Sequence, residues 1–105
     1  PRRELDIAPD TRDTILSGLQ SAAMEPGGTS YPVFGGFPVE VAGKTGTAEV
    51  GANREFTQPW FIAFAPVENP RMAIAVTVER TTGEGGTVAA PIAKTVLEAM
   101  LGGGG

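Results

Sequence analysis

The sequence predicts an α+β fold in which a three-stranded antiparallel meander is flanked by an N-terminal helix and a C-terminal helix. Two stretches have helical periodicity, one towards each end, and three apolar stretches between them have the composition of strands. Short loops join these three stretches, which favours antiparallel pairing. A chain of 105 residues forms one small domain or part of a larger one.

The N-terminal helix is predicted over residues 10–25, with Asp10 as its N-cap and Pro26-Gly27-Gly28 as its end. Apolar residues recur at helical spacing and form one stripe: Ile15, Leu16, Leu19, Ala22 and Ala23. Residues 27–38 are rich in glycine and proline and are predicted to be an irregular connector. We expect its three aromatic residues to pack on the core: Tyr31, Phe34 and Phe37.

The strands are predicted over residues 39–50, 60–65 and 72–79, with a polar hairpin loop over residues 51–58. The second strand is apolar at every position, which predicts that it is covered on both faces and that Trp60 lies in the core. The third strand would be a long apolar edge. Such edges aggregate when they are open, so we expect further sheet beside it.

The C-terminal helix is predicted over residues 88–101, with Pro91 in its first turn and Gly102 as its stop. Its apolar residues are expected along one side: Ile92, Val96, Leu97, Met100 and Leu101.

The composition excludes several classes of site. The chain has no cysteine and no histidine, which removes disulfides, thiolate metal sites and the commonest general base. A formal net charge of −4 argues against nucleic acid or an anionic membrane surface as a partner. We therefore expect no metal, no cofactor, no nucleic acid and no direct membrane contact. A nucleophile here would need lysine, a carboxylate or tyrosine as its base.

The first strand carries the most informative motif, Val41 to Glu49. Alternation along the strand places Lys44 on one face with small neighbours at Ala42, Gly46 and Ala48, which leaves open space around the ammonium. Gly43 and Gly46 flank the lysine, and glycine inside a strand is typical of close approach by a ligand or another backbone.

Two hydroxyls beside this lysine add hydrogen-bond donors. Thr45 and Thr47 can donate to a carboxylate, and if the strand is an edge, the backbone N–H of Thr47 can hold an oxyanion. The alternative is an ordinary edge segment facing solvent, in which the lysine only prevents edge-to-edge pairing.

This region resembles the Lys-Thr-Gly motif of penicillin-binding proteins, most closely the class B monofunctional D,D-transpeptidases of peptidoglycan synthesis. The resemblance continues through Trp60–Pro66, Met72–Glu79 and Gly86–Leu101 in family order. It implies that the meander belongs to the larger five-stranded sheet of a serine β-lactamase/transpeptidase-like fold. It also implies β-lactams and the D-Ala-D-Ala stem peptide as ligands.

The resemblance implies a role for each motif residue. Lys44 would lie near the nucleophile, keep the site electropositive and assist proton transfer. The hydroxyls of Thr45 and Thr47 would hold the terminal carboxylate, and the Thr47 N–H would form one arm of the oxyanion hole. Gly46 would let the ligand lie against the strand. Lys44 and Thr47 are thus the catalytic candidates, and Thr45, Gly46 and Thr47 the substrate-binding candidates.

The family's other motifs are not found. Neither lysine has a serine three residues before it: Val41 precedes Lys44, and Pro91 precedes Lys94. No Ser-x-Asn is present either. We therefore expect the C-terminal portion of a transpeptidase domain, inactive alone, whose missing N-terminal part supplies the nucleophile and a membrane anchor at the extracytoplasmic face. The alternatives are a D,D-carboxypeptidase or serine β-lactamase fragment, or a non-catalytic penicillin-recognising sensor or scaffold.

Overall fold

The computed structural model describes residues 4–79 and 81–101. Its helices are α1 (Pro9–Met24), the short α2 (Tyr31–Phe34) and α3 (Ala90–Met100), and a π-helical segment (Gly85–Ala89) leads into α3. Its strands are β1 (Ala42–Val50), β2 (Phe56–Ala65) and β3 (Met72–Thr77). The strands form an antiparallel sheet in the order β1-β2-β3. The predicted α+β meander with a helix on either side is confirmed.

The helix boundaries differ from the prediction in informative ways. Asp10 is not the N-cap of α1, because Pro9 already occupies the first helical position and Asp10 lies in the first turn. The connector contains α2, which the prediction omitted. The last helix begins earlier than residue 88, since the π-helical segment starts at Gly85, where Glu84 and Thr87 form a capping box. Gly102, the predicted stop, lies outside the described residues.

The strand boundaries follow from pairing. Residues 39–41 lie outside β1. The Glu40 carbonyl instead accepts a hydrogen bond from the N–H of Val67, in the turn between β2 and β3. β2 begins at Phe56, not residue 60, because Thr57 and Gln58 pair with β1 despite their polarity. β3 ends at Thr77, not residue 79. The Trp60–Thr77 pair is the last of the ladder between β2 and β3. The preceding residue of β2 is Pro59, which has no N–H to donate to β3.

The core lies on one face of the sheet. Phe61, Ala63 and Ala65 of β2 pack there against α3 and the π-helical segment. Phe34 stacks on Phe61 with ring centroids 5.4 Å apart and meets Phe37 edge-on at 5.5 Å. Of the three connector aromatics, Phe34 and Phe37 are buried as predicted and Tyr31 is half-buried. This packing places α3 behind β2 and β3, and the π-helical segment behind β1, the strand that carries the motif.

The predicted apolar stripes of the two long helices are only partly buried. In α1 only Ala23 is fully buried, because α1 contacts the sheet mainly at its edge strand β1. The buried side of α3 consists of Ala90, Ala93 and Leu97, and Leu101 continues it. Three residues of its predicted stripe are exposed instead: Ile92, Val96 and Met100. The small alanines face the sheet because they let the helix approach it closely.

The second face of the sheet is largely open, contrary to the prediction for β2. Trp60 is 40% exposed and Ile62 is 51% exposed, so Trp60 is not a core residue. Ala73 and Ala75 of β3 are exposed on the same face. An apolar strand predicts that both faces are covered, but α3 and the π-helical segment lie on the other face.

Candidate active site

The motif strand β1 is an edge of the sheet, the position in which the Thr47 N–H can meet a ligand. Thr47 pairs with Pro59 of β2, whose carbonyl accepts a hydrogen bond from the Val78 N–H on the β3 side at 3.3 Å. Because the carbonyl of Pro59 points to β3, the Thr47–Pro59 pair is not hydrogen-bonded. The N–H and C=O of Thr47 therefore point away from β2, towards the open edge. The same alternation directs the backbone groups of Thr45 to that edge.

Lys44 reaches this edge with its ammonium. Its side chain is exposed, and Nζ donates to the Thr45 carbonyl oxygen at 2.6 Å. Since that carbonyl lies on the open side of β1, the positive charge lies at the same edge as the Thr47 N–H. A cation and an outward N–H on one edge are the groups that a peptide carboxylate and a developing oxyanion require.

A groove of about 640 Å³ lies between α1 and this part of β1. Lys44 lines it on the strand side, and Gly18 and Leu19 line it on the helix side, with Gly28 and Thr29 from the connector. The small neighbours of Lys44 predicted such open space. The groove is large enough for a small ligand beside the lysine.

The two motif hydroxyls lie on the opposite face of β1 from the lysine, and both have partners within the chain. Thr45 Oγ1 donates to Thr29 Oγ1 at 3.1 Å. Thr47 Oγ1 accepts a hydrogen bond from the Gly85 N–H at 3.1 Å. A hydroxyl has one hydrogen and two lone pairs, so accepting from Gly85 leaves the hydrogen of Thr47 available for an anion.

The two motif glycines have different structural roles. A Cβ at Gly46 would meet only the Trp60 Cβ, at an ordinary 3.7 Å, so the chain itself does not fill the space above Gly46. A Cβ at Gly43 would lie 2.7 Å from Phe61 Cζ and 3.0 Å from the Ile62 carbonyl oxygen. Gly43 is therefore required for packing β1 against β2: of the two predicted alternatives, the close approach at this glycine is by another part of the chain and not by a ligand. Gly46 stays an access candidate.

Sequence reasoning missed Thr29 and Gly85, which contact the motif from outside it. They are separated from their partners by 16 and 38 residues, respectively. No local pattern marks either residue, because a lone threonine and a glycine in a Gly-rich loop are common in connectors. Only the tertiary structure brings them to β1.

The described residues hold no group of three or more acidic side chains suited to a metal ion. The Lys44 ammonium contacts a backbone carbonyl and not a serine hydroxyl. None of the helices within residues 4–79 and 81–101 combines the length and apolarity needed to cross a bilayer.

Comparison with known proteins gives the same assignment as the motif. Residues 1–98 match the model of the family described as the penicillin binding protein transpeptidase domain. The peptidoglycan D,D-transpeptidase PbpA of Mycobacterium tuberculosis H37Rv is 49% identical over 69 residues, which is 60% of this chain and 14% of that protein. The chain thus spans about a seventh of that relative's length.

Solved structures share the fold. The crystal structure of Pseudomonas aeruginosa PBP2 in complex with WCK 5153 superposes with a TM-score of 0.81 at 36% identity, covering 94% of this chain and 20% of that one. A ceftriaxone acyl-enzyme complex of M. tuberculosis penicillin-binding protein A superposes with a TM-score of 0.66 at 33% identity, covering 90% and 22%. The sheet and helices described above therefore recur within larger proteins.

Proposed function

This chain belongs to the penicillin-binding protein transpeptidase domain family, and we propose that it supplies the carboxylate-binding and oxyanion-binding edge of a peptidoglycan D,D-transpeptidase. The observation that carries the proposal is the open edge of β1, to which both the Lys44 ammonium and the Thr47 N–H are directed, and Lys44 also lines the groove beside α1. The proposed substrate is the D-Ala-D-Ala end of a stem peptide, and β-lactams would occupy the same place.

In the proposed reaction a serine hydroxyl from another segment of the polypeptide attacks the carbonyl carbon of the penultimate D-alanine. The Thr47 N–H donates to the oxyanion that forms, and preorganised donors of this kind contribute strongly to acyl transfer. The C–N bond breaks, the terminal D-alanine leaves with a proton on its amine, and an ester to serine remains. The amine of a neighbouring stem peptide then displaces the serine.

The motif residues share the remaining work. Lys44 would attract the substrate's carboxylate and favour loss of the proton from the serine, because a nearby positive charge stabilises the developing alkoxide. The hydroxyls of Thr45 and Thr47 would donate to the carboxylate, and Gly46 leaves room for the ligand backbone. The chain alone lacks a serine paired with a base, so we expect it to be inactive by itself.

The rest of the transpeptidase domain would pack on the open sheet face. Trp60, Ile62 and Ala75 form an exposed apolar surface there, and Lys44 projects from the same face of β1. Contiguous exposed apolar surface on a sheet marks an interaction site. A segment packed on this face could bring a serine to the lysine. The exposed edge of β3 would pair with the further strands of the five-stranded sheet.

We place the parent protein at the extracytoplasmic face of the bacterial cell membrane, because peptidoglycan cross-linking takes place there. The membrane anchor would belong to the parent's N-terminal part. The chain's formal net charge of −4 fits a part that does not itself touch an anionic membrane surface.

The test is acylation of the complete transpeptidase by a fluorescent penicillin. We expect Lys44→Ala to lower the acylation rate by about 100-fold or more, since electrostatic groups in acyl-transfer sites contribute on that scale. Lys94→Ala on α3 is the matched control and should acylate like the wild type. The isolated chain of residues 1–105 should stay unlabelled. Unchanged acylation of Lys44→Ala would contradict the proposal.

A further inference from the structure

We infer that Thr29, which lies outside the Lys-Thr-Gly motif, is a positioning residue for the Thr45 hydroxyl. The inference rests on the proposed function, in which Thr45 donates to the substrate's carboxylate. Thr45 Oγ1 and Thr29 Oγ1 are hydrogen-bonded at 3.1 Å, and this bond joins the connector after α1 to the motif strand. Thr29 also lines the groove beside Lys44.

The backbone around Thr29 is anchored on the α1 side. Ser30 is fully buried, and both its N–H and its Oγ donate to the carbonyl oxygen of Ala22, at 3.0 Å and 3.1 Å. Gly28 lies so close to the carbonyls of Ser21 and Ala22 that a Cβ has no room. The two neighbours of Thr29 are therefore tied to the C-terminal turn of α1, which limits where its hydroxyl can go.

The π-helical segment anchors Thr29 from the other side. A Cβ added to Gly86 would lie 2.8 Å from the Thr29 carbonyl oxygen and 3.8 Å from Thr45 Cγ2. Glycine at this position lets the segment lie close to the Thr29 carbonyl, with Thr45 nearby. The neighbouring Gly85 donates to the Thr47 hydroxyl. Both motif hydroxyls thus receive a contact from an element outside β1.

The Thr29–Thr45 pair can supply a donor to an anion without losing its own bond. Each hydroxyl has one hydrogen and two lone pairs. When a carboxylate arrives, the Thr45 hydrogen turns to it and the Thr29 hydroxyl donates to Thr45 Oγ1. Hydrogen bonds in such a chain polarise one another, and a bond to a charged acceptor is stronger than a neutral one. Thr29 would therefore hold the Thr45 hydroxyl in place and strengthen it as a donor.

The experiment measures acylation of the complete transpeptidase by benzylpenicillin and by its methyl ester, which lacks the carboxylate charge. The variants are Thr29→Val, which keeps the shape of the side chain, and Thr29→Ser, which keeps the hydroxyl. Thr95→Val is the control, because Thr95 also loses one hydrogen bond, to the Pro91 carbonyl, but lies on α3. Thr29 is exposed, so the valine does not disturb buried packing.

We expect Thr29→Val to slow acylation by the acid about three- to tenfold, the worth of one hydrogen bond. Acylation by the ester should not change, and Thr29→Ser and Thr95→Val should both acylate like the wild type. The inference is overturned if the acid reacts with Thr29→Val at the wild-type rate, if acid and ester slow by the same factor, or if serine does not restore the rate. If benzylpenicillin does not label the wild-type enzyme at all, that result contradicts the proposed function itself.

Discussion

Lys44 and Thr47 leave β1 on opposite faces, yet their relevant atoms lie at one edge. The Lys44 ammonium donates a hydrogen bond to the Thr45 carbonyl oxygen at that edge. The Thr47 N–H points to the same edge, because the carbonyl of its partner Pro59 points the other way, to β3. The hydroxyl of Thr47 is held by Gly85, which leaves its hydrogen free to donate. A three-residue spacing therefore provides a cation, a backbone donor and a hydroxyl donor for one ligand.

At the residue scale, Thr47→Val separates recognition from folding. Valine keeps the β-branched shape that suits a strand, so the backbone of β1 should not change. The loss of the hydroxyl removes a donor to the carboxylate, and we expect acylation of the complete enzyme by a penicillin to fall about tenfold. Burial of the Gly85 N–H without a partner should cost about 1–3 kcal/mol in the free energy of unfolding.

Thr47→Ser is the matched control, because it keeps the hydroxyl and should restore both the acylation rate and the melting temperature. Equal acylation by Thr47→Val and the wild type would remove the hydroxyl from carboxylate recognition. The role of the Thr47 N–H would be unaffected by that result, since both variants keep the backbone donor.

At the scale of the strand, the two glycines of the motif differ in the space available to an added methyl group. Gly43 lies under Phe61, and Gly46 faces space that the chain does not fill. A methyl group at Gly43 overpacks the contact between β1 and β2. The same methyl group at Gly46 meets only one ordinary contact.

We therefore expect Gly43→Ala to lower the free energy of unfolding of the complete transpeptidase by about 1–3 kcal/mol, the usual cost of overpacking. Gly46→Ala should change the melting temperature little and should slow acylation, because the methyl group would enter the space proposed for the ligand. Thermal unfolding and acylation rates of both variants check this pair. Gly46→Ala with wild-type acylation would contradict the access role of Gly46.

At the scale of the whole molecule, the sheet has one covered face and one open face. α3 and the π-helical segment cover the first, and Trp60 and Ile62 remain exposed on the second. Ile92, Val96 and Met100 form a second exposed apolar group, on α3. The chain spans about a seventh of the relative PbpA, and in the proposed parent enzyme further segments would cover both surfaces.

Ile62→Thr tests whether the parent buries the open face. In the isolated chain Ile62 is 51% exposed, and a polar side chain there should increase solubility without a large loss of stability. In the complete transpeptidase the same change should cost about 1–3 kcal/mol in the free energy of unfolding, because a buried hydroxyl loses its water. Solubility and chemical denaturation of the two proteins measure the difference. An equal stability change in both would show that this face stays open.

The fold class, the order of the strands and the motif can all be read from the amino-acid sequence without coordinates. Alternation along β1 separates Lys44 from Thr45 and Thr47, and the match of residues 1–98 confirms the family that the motif predicts. These features are local: strand alternation, turn composition and a run of nine residues depend on neighbours in the chain. They can be recognised without knowing what packs against them.

The burial of the apolar faces and the residues that support the motif become visible only when the packed elements are seen together. The exposure of Trp60 and the burial of alanines in α3 depend on which elements meet, and an apolar strand or helix has the same sequence whether its partner is present or not. Thr29 and Gly85 reach β1 from 16 and 38 residues away, respectively. Contacts over such separations are set by the packing of whole elements, because the chain between them carries no local signal of where it will return.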